Sequence, residues 1–200
     1  MGEAGGLVNP EDALLHIEKR RSVLGGVVLS GGEPCLWEEL PGFIGKIKKL
    51  QLPVKLDTNG MFPAMLEKLF RREETRPDYI ALDLKIAPSR YGELLAGADS
   101  PGGPPGGNTL GEKLIQSAAL IRNSGIACEY RTLALPRDFI TEKDIEALAP
   151  LVADAPWYFR PFRGGNCLNP AWDNLEESAA EARTRLETLT KKARELGKIR

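Results

Sequence analysis

Short apolar runs of strand length alternate with segments of helical periodicity along most of this chain, and that alternation limits the fold more than any other feature. The runs are Gly26 to Ser30, Val54 to Thr58, Tyr79 to Leu84, Ala127 to Thr132 and Tyr158 to Phe162. Between them lie helix patterns: Leu40, Phe43, Ile44, Ile47 and Leu50; then Met65, Leu66, Leu69 and Phe70 after Pro63; then Leu110 to Asn123, stopped at Gly125; then Thr141 to Val152. Strand followed by helix, repeated, predicts a parallel sheet joined by crossover helices, either an open doubly wound sheet or a barrel. At 200 residues a single domain is expected, long enough to bury a core.

The flanks carry their own signals. Asn9-Pro10-Glu11-Asp12 reads as a helix start, with Asn9 as cap and Pro10 in the first turn. His16, the single histidine, falls on that helix without a partner at metal-ligand spacing. Gly97 to Gly107 has eight Gly or Pro among eleven residues and predicts a long loop at the strand-end face, because the alternation resumes after it. A last helix is predicted from Asn174, with Glu177 completing a variant capping box. Leu175, Ala179, Ala182, Leu186, Leu189, Ala193 and Leu196 give it an apolar face. The alanines suit a helix lying on the sheet better than a coiled-coil seam.

With 27 basic against 28 acidic residues, the chain offers no electrostatic footprint for nucleic acid. No apolar run is long enough to span a bilayer, so no membrane partner is expected and the chain reads as cytosolic. Cys35, Cys128 and Cys167 are three and widely spaced, which implies neither a disulfide framework nor a zinc ribbon.

Chemistry gathers where strands end. Ser30-Gly31-Gly32-Glu33-Pro34 closes the first strand with two residues that lack a Cβ and then a carboxylate. Such a turn suits an ammonium ligand, since carbonyls and a carboxylate accept its protons; the phosphate-binding glycine patterns are absent. Residues two apart on a strand share a face, so Lys55, Asp57 and Asn59 face together, as do Asp83 with Lys85 and Glu129 with Arg131. Buried parallel strands should be continuously apolar, and these are not. Their six charges sum to zero. They either pair with one another or hold a ligand bearing both signs, such as an amino acid.

Those segments resemble a known family. Ser30-Gly31-Gly32-Glu33-Pro34, Asp57-Thr58-Asn59-Gly60 and Asp83-Leu84-Lys85, in that order, resemble the radical S-adenosylmethionine enzymes. Lys55 to Gly60, Tyr79 to Lys85 and Glu129-Tyr130-Arg131-Thr132 are most similar to activating enzymes of glycyl-radical proteins, especially the activating protein of anaerobic ribonucleoside-triphosphate reductase. The resemblance, which covers roughly Gly25 to Arg163, implies an α/β fold, an incomplete parallel (β/α) barrel lacking its first strand; the chain is then expected to be one domain, a partial core over about 9–163 followed by the C-terminal helix over 174–197. It implies that Gly31, Gly32 and Glu33 hold the methionine ammonium of S-adenosylmethionine, and Lys85 its carboxylate. Thr58, Asn59 and Arg131 would line the same cofactor, with Asp57 and Asp83 beside the carboxylate, where a monovalent cation can sit. The implied partner is a glycyl-radical protein such as anaerobic ribonucleotide reductase.

One part of the family pattern does not occur in this sequence. Members cleave the cofactor with a [4Fe-4S] cluster held by Cys-x-x-x-Cys-x-x-Cys, and the three cysteines here do not have that spacing. The expectation is therefore a core that binds the cofactor without cleaving it on its own, with Val27 to Ser30 an exposed edge open to pairing unless Gly5 to Val8 or another chain covers it. Two alternatives stand beside it: a non-catalytic cofactor-binding or partner-docking module, and a Schiff-base lyase using Lys85. The second is opposed by Asp83, whose charge stabilises the ammonium form of Lys85.

Overall fold

The computed structural model describes residues 9–95, 109–136, 139–163 and 177–199. Helix α1 (Pro10–Arg20) precedes β1 (Val27–Leu29), and the alternation continues through α2 (Leu40–Lys49), β2 (Val54–Thr58), α3 (Pro63–Phe70) and β3 (Tyr79–Asp83). It resumes with α4 (Leu110–Ser124), β4 (Ala127–Ala134), α5 (Glu142–Leu148), β5 (Trp157–Pro161) and α6 (Ala179–Glu195). All five strands are parallel and lie in the order β1-β2-β3-β4-β5. An order that never reverses has no switch point, so the doubly wound alternative falls away. Right-handed crossovers then place every connecting helix on one face, which makes the sheet the wall of an incomplete barrel.

The two faces of that wall differ because side chains alternate along each strand. Val54, Leu56, Ile80, Leu82, Tyr130, Ala134 and Trp157 point outward and are buried under the helices, against Ile44 and Ile47 of α2, Leu66 and Leu69 of α3, Leu114 and Ile121 of α4, and Leu148 of α5. The inner face carries Val28, Lys55, Asp57, Tyr79, Asp83, Glu129, Arg131, Leu133, Tyr158 and Arg160. No second layer of this chain covers it among the described residues, and Val28 is 58% exposed there. At about 25 cal/mol per Å² the outer face supplies the driving force for folding, which leaves the inner face free to be polar.

Local signals explain most boundaries. The Asn9 side chain accepts from the Glu11 N–H, 2.9 Å, and starts α1. Thr109 and Glu112 form a reciprocal capping box on α4, which ends at Gly125 in the left-handed region, φ 70°. Three expectations need correction. The helix read as Thr141 to Val152 stops at Leu148 and tightens into a 3-10 turn, Ala149–Leu151, because Pro150 has no N–H to give the ladder. The fifth strand begins one residue earlier, at Trp157, whose indole N–H donates to Thr132 Oγ1, 2.9 Å. The capping box of α6 is Ser178 with Glu181, in place of Asn174 with Glu177. Glu177 instead pairs with Arg185.

Helix α6 lies on β4, β5 and α5 through the buried Leu189 and Ala193, as its alanines predicted. Strand β1 pairs only with β2 among the described residues. Gly5 to Val8, the Gly97 to Gly107 loop, Asn174, Leu175 and Cys167 lie outside those residues. No described helix is long and apolar enough to cross a membrane.

Candidate functional site

The inner-face charges stack in layers set by strand register. Asp83 on β3 is the register partner of Arg131 on β4, and Asp57 on β2 partners Ala81, whose small side chain leaves the space between β2 and β4 open. Arg131 spans that space. Its Nη1 donates to Asp57 Oδ2, 3.0 Å, and its Nε donates to Asp83 Oδ1, 3.1 Å. Burial pushes the Asp83 carboxyl above its usual value; Arg131 and Lys85 oppose that shift, and the Asp57 charge adds to it. Asp57 Oδ1 is buried and has no hydrogen-bond partner.

A second pair sits one layer nearer the strand starts. Lys55 Nζ bonds Glu129 Oε1, 2.8 Å, and the Tyr79 hydroxyl donates to Glu129 Oε2, 3.2 Å. Burial works against the Glu129 carboxylate, but the bonds from Lys55 and Tyr79 outweigh it and lower its pKa. Burial and the Glu129 charge raise the Tyr79 phenol to about 12. Lys55 and Glu129 thus satisfy each other and stand apart from the remaining set of Asp57, Asp83, Lys85 and Arg131.

Those four meet in one cavity of about 240 Å³ at the C-terminal ends of the strands, lined also by Ser30, Thr132, Leu133 and Arg160. Lys85 is held there by its backbone: its N–H donates to the buried Tyr91 hydroxyl, 3.0 Å. The neighbouring carbonyl of Leu84 accepts from Thr132 Oγ1, 2.7 Å. The Lys85 ammonium makes no hydrogen bond or ion pair among the described residues, so it is available. A strand-end cavity is where parallel α/β folds place their ligands.

Glu33, Thr58 and Asn59 form a separate group beside this cavity. Glu33 Oε1 accepts from the Cys35 N–H, 3.0 Å, and from the Thr58 hydroxyl, 2.8 Å, while Oε2 accepts from the Asn59 N–H, 2.7 Å. The carboxylate expected to receive a ligand ammonium is therefore engaged by the chain itself, and it pins the β1 turn to the end of β2. Thr58 was expected to line the cofactor, yet it is 3% exposed, because it follows Asp57 by one residue and so faces the core. The Asn59 side-chain oxygen accepts from the Met61 N–H, 2.9 Å, within its own turn. Gly31 and Gly32 adopt φ of 88° and 50°, and a Cβ at either would meet nothing within 4 Å. Both face open space, which leaves the turn's backbone accessible.

The metal and cluster expectations meet different surroundings. Arg131 supplies the positive charge between Asp57 and Asp83, where the resemblance would set a monovalent cation. Among the described residues no group of three or more His, Cys, Asp or Glu could hold a metal ion. Cys35 is 2% exposed, lies 3.7 Å from Thr58 Oγ1, and is pushed up to about 12 by burial and the Glu33 charge. Cys128 lies on the core face of β4, and burial raises its pKa too. Neither thiol reaches the cavity or is poised as a thiolate, so these two residues do not fit an iron-sulfur cluster.

Arg160 went unnoticed in the sequence, although Tyr158 and Arg160, two apart on a strand, give the same signal as Glu129 and Arg131. Ser30 and Leu133 were likewise passed over as lining residues.

No family model matches the chain. It is 31% identical over 133 residues to a protein of Methanocaldococcus jannaschii provisionally assigned as a glycyl-radical enzyme activating enzyme. The aligned part is 66% of this chain and 52% of that protein, so the chain spans about half the length of the relative it matches. Streptococcus suis SuiB bound to S-adenosylmethionine superposes with a TM-score of 0.62 at 12% identity, covering 97% of this chain and 43% of SuiB. SuiB bound to its precursor peptide SuiA gives 0.61 at 13% identity, with 96% and 41% covered. A radical SAM methyltransferase from Sphaerobacter thermophilus gives 0.54 at 14% identity, with 90% and 52% covered. These likenesses bear out the incomplete-barrel fold.

Proposed function

We propose that this chain belongs to the radical S-adenosylmethionine superfamily and binds S-adenosylmethionine at its strand-end cavity as the core of an activating enzyme for a glycyl-radical protein; its 31% identity to the archaeal relative and its fold support the reading. The observation that carries the reading is the meeting of an uncommitted ammonium, Lys85, with the Asp57, Arg131 and Asp83 array in one cavity. A zwitterionic end group fits there. Its carboxylate is met by Lys85, and its ammonium by the open backbone of the Ser30 to Gly32 turn and by the carboxylate layer. Bound S-adenosylmethionine supplies the adenosyl group that the superfamily's chemistry uses.

The partner, by likeness to the archaeal relative, is a glycyl-radical protein, and anaerobic ribonucleotide reductase is the specific candidate. The inner face, which no second layer covers among the described residues, offers the surface on which a partner's segment would lie. The placement of Cys35 and Cys128 supports binding without cleavage by these described residues. Titration calorimetry of the 200-residue chain with S-adenosylmethionine tests the reading. Saturable binding at one site, lost in Lys85→Met, is expected. Heat-free titration, or binding indifferent to Lys85, overturns it. Cofactor cleavage by this chain after anaerobic reconstitution with iron and sulfide would overturn the binding-only part alone.

A further inference from the structure

We infer that Arg160 is a second carboxylate-binding cation of the cavity and selects ligands that carry an α-carboxylate; the inference rests on the cofactor reading above. Arg160 is the fourth residue of β5 and the register partner of Leu133 on β4. Trp157, three residues earlier, is buried at 3% in the core, so the alternation turns Tyr158 and Arg160 onto the inner face. There Arg160 lines the same cavity as Lys85. Lys85 leaves β3 on one side of β4 and Arg160 stands on the other, with the half-exposed Leu133 between them as an apolar floor.

The charges in this cavity do not balance. Three cations, Lys85, Arg131 and Arg160, line it against two carboxylates, Asp57 and Asp83. Arg131 is fully engaged by both carboxylates. Other arginines of the molecule are similarly committed, Arg90 to Glu93 and Asp144, and Arg185 to Glu177. Arg160 has no hydrogen bond or ion pair among the described residues. Lys85 and Arg160 are therefore two cations of one cavity without a side-chain partner among the described residues, and a ligand carboxylate can meet both. A guanidinium is suited to take it, because its planar fork donates two parallel bonds to a carboxylate, whereas the Lys85 ammonium adds only a point charge.

Calorimetry with two probes, S-adenosylmethionine and decarboxylated S-adenosylmethionine, separates this role from general support of the fold. Arg160→Gln should weaken S-adenosylmethionine binding about tenfold or more, the usual scale for a lost charged hydrogen bond. Binding of the decarboxylated probe should stay unchanged or tighten. Arg160→Lys should recover only part of the affinity for the intact cofactor, since it restores the charge but not the paired bonds. The urea midpoint of Arg160→Gln should match that of the wild type, since Arg160 makes no bond to lose among the described residues. Equal losses for both probes, or no loss for either, would overturn the assignment. A wild-type chain that binds neither probe would instead sink the cofactor reading itself, and this inference with it.

Discussion

Arg131 on β4 reaches past β3 to bond Asp57 on β2 at 3.0 Å, although 74 residues separate the two in sequence. One guanidinium thereby ties the three central strands together on a face that no apolar layer covers among the described residues. Removing it leaves Asp57 and Asp83 facing each other without their bonding partner, with only the charge of Lys85 nearby. Arg131→Ala should cost about 2–4 kcal/mol in urea denaturation at neutral pH. The loss should shrink as pH falls toward 4. Burial already raises Asp83, so without Arg131 the native state takes up protons more readily than the unfolded chain, and its stability is lost as pH rises through the folded pKa. A deficit constant from pH 4 to pH 8 would show that the carboxylates do not feel the arginine.

Glu33 accepts three hydrogen bonds from the chain's own N–H and O–H groups. Gln in its place keeps one oxygen but turns an amide NH₂ toward at least one donor. Glu33→Gln should therefore lower stability by about 1–3 kcal/mol, the cost of buried groups left without partners. Cofactor binding should weaken along with it, as the β1 turn loosens from β2. Unchanged stability with lost binding would return Glu33 to the role of direct ammonium acceptor.

Two helical glycines should respond in opposite directions to alanine. At Gly42 a Cβ meets nothing within 4 Å, so Gly42→Ala should stabilise by roughly 0.5–1 kcal/mol through helix propensity alone. At Gly111, on the first turn of α4, a Cβ would lie 2.2 Å from the Pro88 carbonyl oxygen. Backbone there cannot swing aside as a side chain would, and Gly111→Ala should destabilise by about 1–3 kcal/mol. Thermal melts of the two variants side by side decide it; a shared direction would refute the close approach of α4 to the Pro88 turn.

Much of this was legible because period and punctuation are local. The run Val54 to Thr58 matches β2 to the residue, and α3 begins at Pro63 as its pattern predicts. Face-sharing along strands put Asp57, Asp83 and Arg131 together before any coordinates. What the sequence could not say was which charges would consume one another. Lys55 could have joined the ligand set, and only the fold brings it across β3 to Glu129 on β4. Motif resemblance also grouped Glu33, Thr58 and Asn59 with a ligand, whereas the fold turns Thr58 into the core and engages Glu33 from three sides. Strand parity alone would have warned about Thr58. The three-dimensional match of carboxylate to donors had no sequence signal.

Asp144 was another group hidden from sequence, since it looked like an ordinary acid in the first turn of a helix. Its side chain is only 1% exposed, and it accepts from the Ala87 N–H at 2.9 Å, from the Thr141 N–H and hydroxyl at 2.8 Å each, and from Arg90 Nη1 at 2.7 Å. Burial alone would raise its pKa, but these bonds outweigh it and hold the carboxyl below 3.8. Because the folded pKa lies under the unfolded one, the stabilisation is complete above about pH 4 and is lost as pH falls through the folded value. Asp144 therefore clamps the segment after Lys85 to α5 at neutral pH and releases it in acid. Asp144→Asn should lose about 3 kcal/mol at pH 7, the scale for breaking a buried ion pair from one side. Its stability should also fall less steeply than that of the wild type between pH 4 and pH 2. Parallel acid slopes for the two proteins would mean that the Asp144 proton does not distinguish the folded from the unfolded chain.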